Sequence, residues 1–208
     1  MANRITLLRV ALLFIAIGFI YTDTVLGELI AFGVVLVVVL LDGLDGMIAR
    51  RTGRADETGA VMDIFADRVV ENALWIVFAH IGLIPVWIPI TVMVRGLATD
   101  AVRSIARTRG ETAFGTMLRS GIGRRVVASR ASRAVYAAAK AVTFGYLLLY
   151  MALIRAQAVG LDLGGMENGL PWAYKFGMGL VYFTVACCLA RGIPVLIEGR
   201  RYVRTEAK

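Results

Sequence analysis

Six long apolar blocks decide what this chain can fold into. A membrane-crossing helix needs roughly 20 consecutive, mostly apolar residues. Blocks of about that length occupy residues 5–21, 25–48, 59–84, 85–107, 131–154 and 171–197. The chain is 59% hydrophobic over 208 residues, against about half for a soluble domain, and the excess lies in these blocks. The expectation is an all-α integral membrane protein with six transmembrane helices, forming one domain over residues 1–208. The first block carries Arg9 within it and lacks a small-residue cleavage site, so it reads as a span and not as a removable leader.

The connectors fix the orientation. Lys and Arg collect on the cytoplasmic side of membrane helices. One side receives Arg4 and Arg9, then Arg50, Arg51 and Arg54, then the basic stretch from Thr108 to Arg130, and finally Arg200, Arg201, Arg204 and Lys208. The other side holds Asp23, Asp162 and Glu167, with only Arg155 and Lys175 near it. Both termini are therefore expected in the cytoplasm. The net charge of +8 reads as this asymmetry plus attraction to anionic lipid. No aromatic-basic interleaving points to nucleic acid.

Four aspartates stand at the cytoplasmic ends of the second and third blocks. Asp42 and Asp45 are three apart, Asp63 and Asp67 four apart, so each pair shares a helix face. A short connector makes the two helices an antiparallel hairpin, and their acidic faces can meet. Ionisable groups within a span cost several kcal/mol unless they have a use. Carboxylates so close repel without a cation, and no Lys or Arg lies at helical spacing to neutralise all four. An all-oxygen donor set suits Mg²⁺ or Mn²⁺, and two ions would match two carboxylate pairs. Gly43, Gly46, Ala49, Gly59 and Ala60 leave room for a ligand beside the acids, and Arg50 can reach a phosphate.

These residues resemble a family signature. Asp42-x-x-Asp45-Gly46-x-x-Ala49-Arg50, followed by Gly59-x-x-x-Asp63-x-x-x-Asp67, is similar to the motif of the CDP-alcohol phosphotransferases, with every fixed position matched. The opening Asn3-x-Ile5-Thr6-x-x-Arg9 extends the likeness, without the usual proline before Asn3. The resemblance implies that Asp42, Asp45, Asp63 and Asp67 hold divalent metal and that Asp67 also acts as general base. It implies that Gly46, Ala49, Arg50 and Gly59 contact the CDP moiety. Thr6 and Arg9 would lie along the donor lipid. Asp56 stands where members often carry a small hydroxyl residue near the nucleotide. The implied reaction is attack of an alcohol on the donor's β-phosphorus with release of CMP, by a homodimer of the cell membrane whose active site faces the cytoplasm.

The acceptor is a separate question. Arg95 and Arg103 are eight apart, Arg133 and Lys140 seven apart, and Arg191 lies within the last block. Each pair shares a helix face. These cations form either a pocket for an acceptor phosphate or local pairs of Arg95 or Arg191 with Asp100 or Glu198, or they snorkel. The opening and the Arg95-to-Arg103 spacing resemble phosphatidylglycerophosphate synthases, which suggests glycerol 3-phosphate. Those enzymes commonly read Asp-Pro-x-Ala-Asp-Lys where this chain reads Asp63-Ile64-Phe65-Ala66-Asp67-Arg68, which keeps an inositol-phosphate acceptor open. A divalent-cation transporter is the rival from another class, and an inactive assembly partner is a further one. His80 reads as an interfacial structural residue, and the adjacent Cys187 and Cys188 as small apolar helix residues.

Overall fold

The computed structural model describes residues 2–52, 57–108, 127 and 129–205, with side chains over 5–42, 59, 61–108, 127, 129 and 131–200. Among them, six α-helices run in chain order: α1 Ala2–Ile20, α2 Val25–Thr52, α3 Glu57–His80, α4 Trp87–Thr108, α5 Arg130–Ala158 and α6 Leu170–Thr205. A short 3₁₀ turn, Met166–Gly169, leads into α6.

Local chemistry sets the ends. The Thr24 hydroxyl accepts the Gly27 amide at 3.0 Å and caps α2, and the Ser129 hydroxyl accepts the Ser132 amide at 3.0 Å and caps α5. The connector before α6 turns at Gly164 (φ 60°) and Gly165 (φ 85°), left-handed conformations that a side chain would strain.

Three helices are long and apolar enough to cross a membrane, by the stretches Val25–Asp42, Ala131–Ala158 and Met166–Arg200, and Ile5–Ile20 of α1 is a shorter apolar helix. The six-span expectation also needs α3 and α4. At 24 and 22 residues they measure about 36 and 33 Å, long enough to span. What they lack is uniform apolarity, because α3 carries Asp63, Asp67, Arg68 and Glu71, and α4 carries Arg95, Asp100, Arg103 and Arg107. Each helix also turns large apolar side chains outward: Phe14, Leu36, Phe65, Val94, Val142 and Phe183 are all exposed. Such a surface suits lipid and not water.

The chain divides into two compact units. The first comprises residues 1–84 and 141–179, the second 85–140 and 180–208. In the first unit α1 packs against α2 and α3. Its buried stripe is Thr6, Arg9, Leu13, Ala16 and Ile20, a spacing of three and four that marks one helix face. The matching stripe of α2 is Glu28, Ala31, Val35 and Val38, and Asp42 is the next position on it. Trp75 and Phe78 of α3 close on Phe144 of α5, with ring centroids 4.9 and 5.9 Å apart. At the start of α2, the fully buried Glu28 accepts Arg155 Nε at 2.9 Å, and Arg155 also pairs with Asp23. This ties the α1–α2 turn to the end of α5.

In the second unit α4 and α6 come close. A Cβ on Gly192 would stand 2.6 Å from Arg95 Cγ. Ala106, Val127 and Val195 form a small core there, with Val102 against it.

Candidate active site

The first unit gathers acids around one cation. Arg9 Nη2 lies 2.7 Å from Asp42 Oδ1 and 2.7 Å from Asp67 Oδ1, and Nη1 lies 3.1 Å from Asp63 Oδ1. The Arg9 side chain is 3% exposed, whereas those of Asp42, Asp63 and Asp67 are 42%, 48% and 47% exposed. The guanidinium is thus sealed beneath the cluster while the carboxylates keep an accessible edge. The helix stripes explain the meeting: Arg9 is on the inward face of α1, Asp42 ends the inward face of α2, and Asp63 and Asp67 lie one turn apart on α3.

Sequence reading sought a neutralising cation at helical spacing on α2 and α3. The structure brings one from α1 instead. Arg9 was expected along the donor lipid, and its grip on three carboxylates was not foreseen. Thr6 is buried one turn before Arg9, and Gly59 lies one turn before Asp63 near the start of α3. For Asp45, Gly46, Ala49 and Arg50 the structure describes only the helical backbone of α2, and Asp56 lies outside the described residues.

The cluster fits a divalent metal. One oxygen from each of Asp42, Asp63 and Asp67 falls within 4.8 Å of the others. Three negative charges face one guanidinium, and these four groups alone sum to two negative charges. The donors are all hard oxygens, the set that Mg²⁺ and Mn²⁺ prefer.

The second unit gathers cations around a ring. Arg95 is 9% exposed, and its Nε donates to the Cys188 carbonyl of α6 at 2.9 Å. Arg95 Cζ, Lys140 Nζ and Arg191 Cζ lie 5.6, 4.8 and 5.7 Å from the centroid of the Tyr136 ring. Arg191 Nη1 also approaches the Ser132 hydroxyl at 3.4 Å. Arg103 and Arg133 are like-charged neighbours of Arg191. Of the local pairs weighed from sequence, Asp100 is taken by Arg103, at 3.6 Å. The structure therefore brings Arg95, Lys140 and Arg191 together directly, with Arg103 and Arg133 near.

Tyr136 escaped sequence reading. The available signal was its place on α5, three residues after Arg133 and four before Lys140, on the face those two share. His80 is exposed at the end of α3, with its ring 5.8 Å from that of Tyr21. Cys187 and Cys188 are free thiols, and Cys188 is buried against α4 through its carbonyl.

Comparison with known proteins gives the family. The family model for CDP-alcohol phosphatidyltransferase matches residues 1–190, a range that includes the whole acidic cluster. Two proteins of Mycobacterium tuberculosis, from strains CDC 1551 / Oshkosh and ATCC 25618 / H37Rv, are similar to this chain. Both are named probable phosphatidylglycerophosphate synthase, and both are 26% identical to it over 113 residues. The match spans 53% of this chain and 54% of each relative, about half of either. On the family match, which covers most of its length, this chain is a member of the CDP-alcohol phosphatidyltransferase family of enzymes.

Proposed function

We propose that the chain is a multi-pass membrane phosphatidyltransferase that moves a phosphatidyl group from CDP-diacylglycerol to a phosphorylated alcohol and releases CMP. The observation that carries this reading is the convergence of Asp42, Asp63 and Asp67 within 4.8 Å over the buried Arg9. Glycerol 3-phosphate is the first acceptor to test, because the Mycobacterium tuberculosis relatives are named for phosphatidylglycerophosphate, the product that this acceptor would give. The departure at Asp63-Ile64-Phe65-Ala66-Asp67-Arg68 keeps an inositol phosphate as the second.

In this reading the acceptor hydroxyl attacks the β-phosphorus of the donor. A new O–P bond forms, the bond from that phosphorus to the bridging oxygen breaks, and CMP leaves with the electron pair. Asp67 takes the hydroxyl proton on its exposed carboxylate edge. Asp42, Asp45, Asp63 and Asp67 would hold divalent metal, two ions of Mg²⁺ or Mn²⁺. When bound, the metal supplies positive charge that grips the diphosphate and offsets charge on the leaving group. Arg9 orients the three carboxylates from below and, with Thr6, borders the donor. Gly46, Ala49, Arg50, Asp56 and Gly59 line the nucleotide. Arg95, Arg103, Arg133, Lys140 and Arg191 bind the acceptor phosphate, which buried guanidinium groups are suited to recognise.

The same reading makes the chain one membrane domain with six spans and both termini cytoplasmic. It is a homodimer of the cell membrane with its active site at the cytoplasmic face. A cation transporter would need carboxylates along its path. The acids at the start of α2, Asp23 and Glu28, are instead engaged by Arg155.

The test is CMP release by purified protein in vesicles with CDP-diacylglycerol, Mg²⁺ and a panel of glycerol 3-phosphate, inositol phosphate, serine and glycerol. Release with one phosphorylated acceptor is expected. Release with serine or glycerol alone would remove the phosphate-binding role of the cations. Divalent-cation flux without CMP release would point to the transporter.

A further inference from the structure

Three cations brought within 6 Å of one buried ring need an explanation, because Arg191 also has Arg95, Arg103 and Arg133 as like-charged neighbours and like charges repel. Arg95 comes from α4, Lys140 from α5 and Arg191 from α6, so the cluster is a tertiary arrangement and not a run of neighbouring residues. Tyr136, at their centre, is 8% exposed. Arg95 also lines a cavity of about 350 Å³ whose other walls are Ile90, Thr91, Val94, Ala98, Leu189, Ile193 and Leu196. Solvation of that guanidinium is poor on this side, and its contacts among the described residues include the Cys188 carbonyl and the Tyr136 ring face.

An aromatic face carries partial negative charge and attracts cations, most strongly where water is excluded. It offsets part of the repulsion without forming the ion pairs that a carboxylate would form. A carboxylate at this position would neutralise the cations and compete with an anionic ligand. A ring holds them in place and adds no negative charge of its own.

We propose that Tyr136 is a positioning residue that preorganises Arg95, Lys140 and Arg191 as a cage for the phosphate monoester of the acceptor. This rests on the reading that the acceptor is a phosphorylated alcohol, and it adds the residue that assembles the site. The phosphate is that of a soluble acceptor and not of a lipid headgroup, and the two sources are separated below. Tyr136 acts through its ring face, so the hydroxyl is dispensable and the ring electron density is not.

The experiment uses full-length protein in neutral phosphatidylcholine vesicles and varies only residue 136. Tyr136→Phe keeps the ring, Tyr136→Leu removes it, and phenylalanine with one, two or three ring fluorines drains the face at nearly constant size. Acceptor KM is expected to stay near wild type in Tyr136→Phe. It should climb stepwise with fluorination and rise about tenfold or more in Tyr136→Leu, with kcat and the KM for CDP-diacylglycerol within about twofold. The fluorine series keeps the test alive where Tyr136→Leu fails to fold.

A flat KM across the series, or an equal loss in Tyr136→Phe and Tyr136→Leu, overturns the proposal. Inorganic phosphate is the second probe. It should raise the unfolding temperature of the wild type and of Tyr136→Phe, and not that of the trifluorinated variant. This arm reads the cage even where the wild type turns out to use an unphosphorylated acceptor, so failure of the acceptor reading and failure of the cage give different results. Absence of any phosphate effect on the wild type overturns the cage. A KM response that vanishes when anionic lipid replaces the neutral vesicle would assign the site to a lipid phosphate and overturn the soluble-acceptor assignment.

Discussion

In the first unit three carboxylates close on one buried guanidinium, and in the second three cations close on one buried ring. Both clusters carry charge of one sign in excess, and each uses a partner that holds the charges without cancelling them. Counted over these groups alone, three carboxylates and one guanidinium sum to two negative charges, and Tyr136 adds no charge to its three cations. A third charged group shows the alternative. Buried Glu28 shares the Arg155 guanidinium with Asp23, which is mostly exposed, so one buried acid meets one cation. The comparison teaches that excess, not the mere presence of buried charge, marks where a ligand of opposite sign belongs. Divalent cation suits the first excess and phosphate the second.

The largest effect is expected at the acidic cluster. Asp67→Asn keeps the shape but cannot accept a proton, and general-base loss alone costs about 10²–10⁴-fold. CMP release at saturating substrates should fall by about 10³-fold or more, with the protein still folded by size exclusion. Turnover within about tenfold of wild type would break the comparison, because the acids would then not be the reacting centre. Next comes the basic cluster. Arg191→Gln removes one charge-assisted contact of about 1.5–3 kcal/mol, so acceptor KM should rise by about 10–100-fold while donor KM holds. An equal rise in both would mean that the two clusters do not divide the substrates between them. Smaller again is Gly192→Ala. Its Cβ would press on the Arg95 side chain, and shifting that side chain should raise acceptor KM a few fold. Steady-state kinetics with Gly192→Ser alongside would sharpen the point, since a bulkier group should do more.

How far the sequence led depends on where the physics is local. The convergence of Asp42, Asp63 and Asp67 was legible because a spacing of three or four residues fixes a helix face whatever the rest of the chain does; the Asp45 side chain lies outside the described residues. Arg9 was singled out, but for the donor. Its ion pairs depend on the α1 stripe meeting the stripes of α2 and α3, a tertiary fact that no spacing within the acids' own helices encodes. The basic residues were legible as charges in apolar surroundings, and Arg103 claimed Asp100 where Arg95 or Arg191 was the partner weighed. Tyr136 left no mark because an aromatic in a membrane helix reads as ordinary packing. Its role shows only when cations from three helices converge on it. Helices α3 and α4 were read as spans from their length and mean apolarity. The polar residues proposed as site residues are also what lowers their apolarity below that of α2, α5 and α6.

The smallest effect on catalysis, and the sharpest control, is expected at the matched pair. Glu28 is fully buried, with one oxygen on Arg155 Nε and the other, Oε2, buried without a hydrogen-bond partner. It lies fourteen residues before Asp42 on α2, about 21 Å along the helix. Glu28→Gln keeps an oxygen for Arg155 and gives up the charge. Breaking a sealed ion pair costs about 3–5 kcal/mol, but Arg155 is partly exposed and retains Asp23. A loss of about 1–2 kcal/mol is therefore expected, a drop of a few degrees in unfolding temperature for a chain of this size. Both KM values and kcat should stay within about twofold. If Glu28→Gln instead raised acceptor KM as far as Arg191→Gln does, a matched buried pair would be as functional as an unmatched cluster. Charge excess would then lose its meaning as a pointer to ligands in this fold.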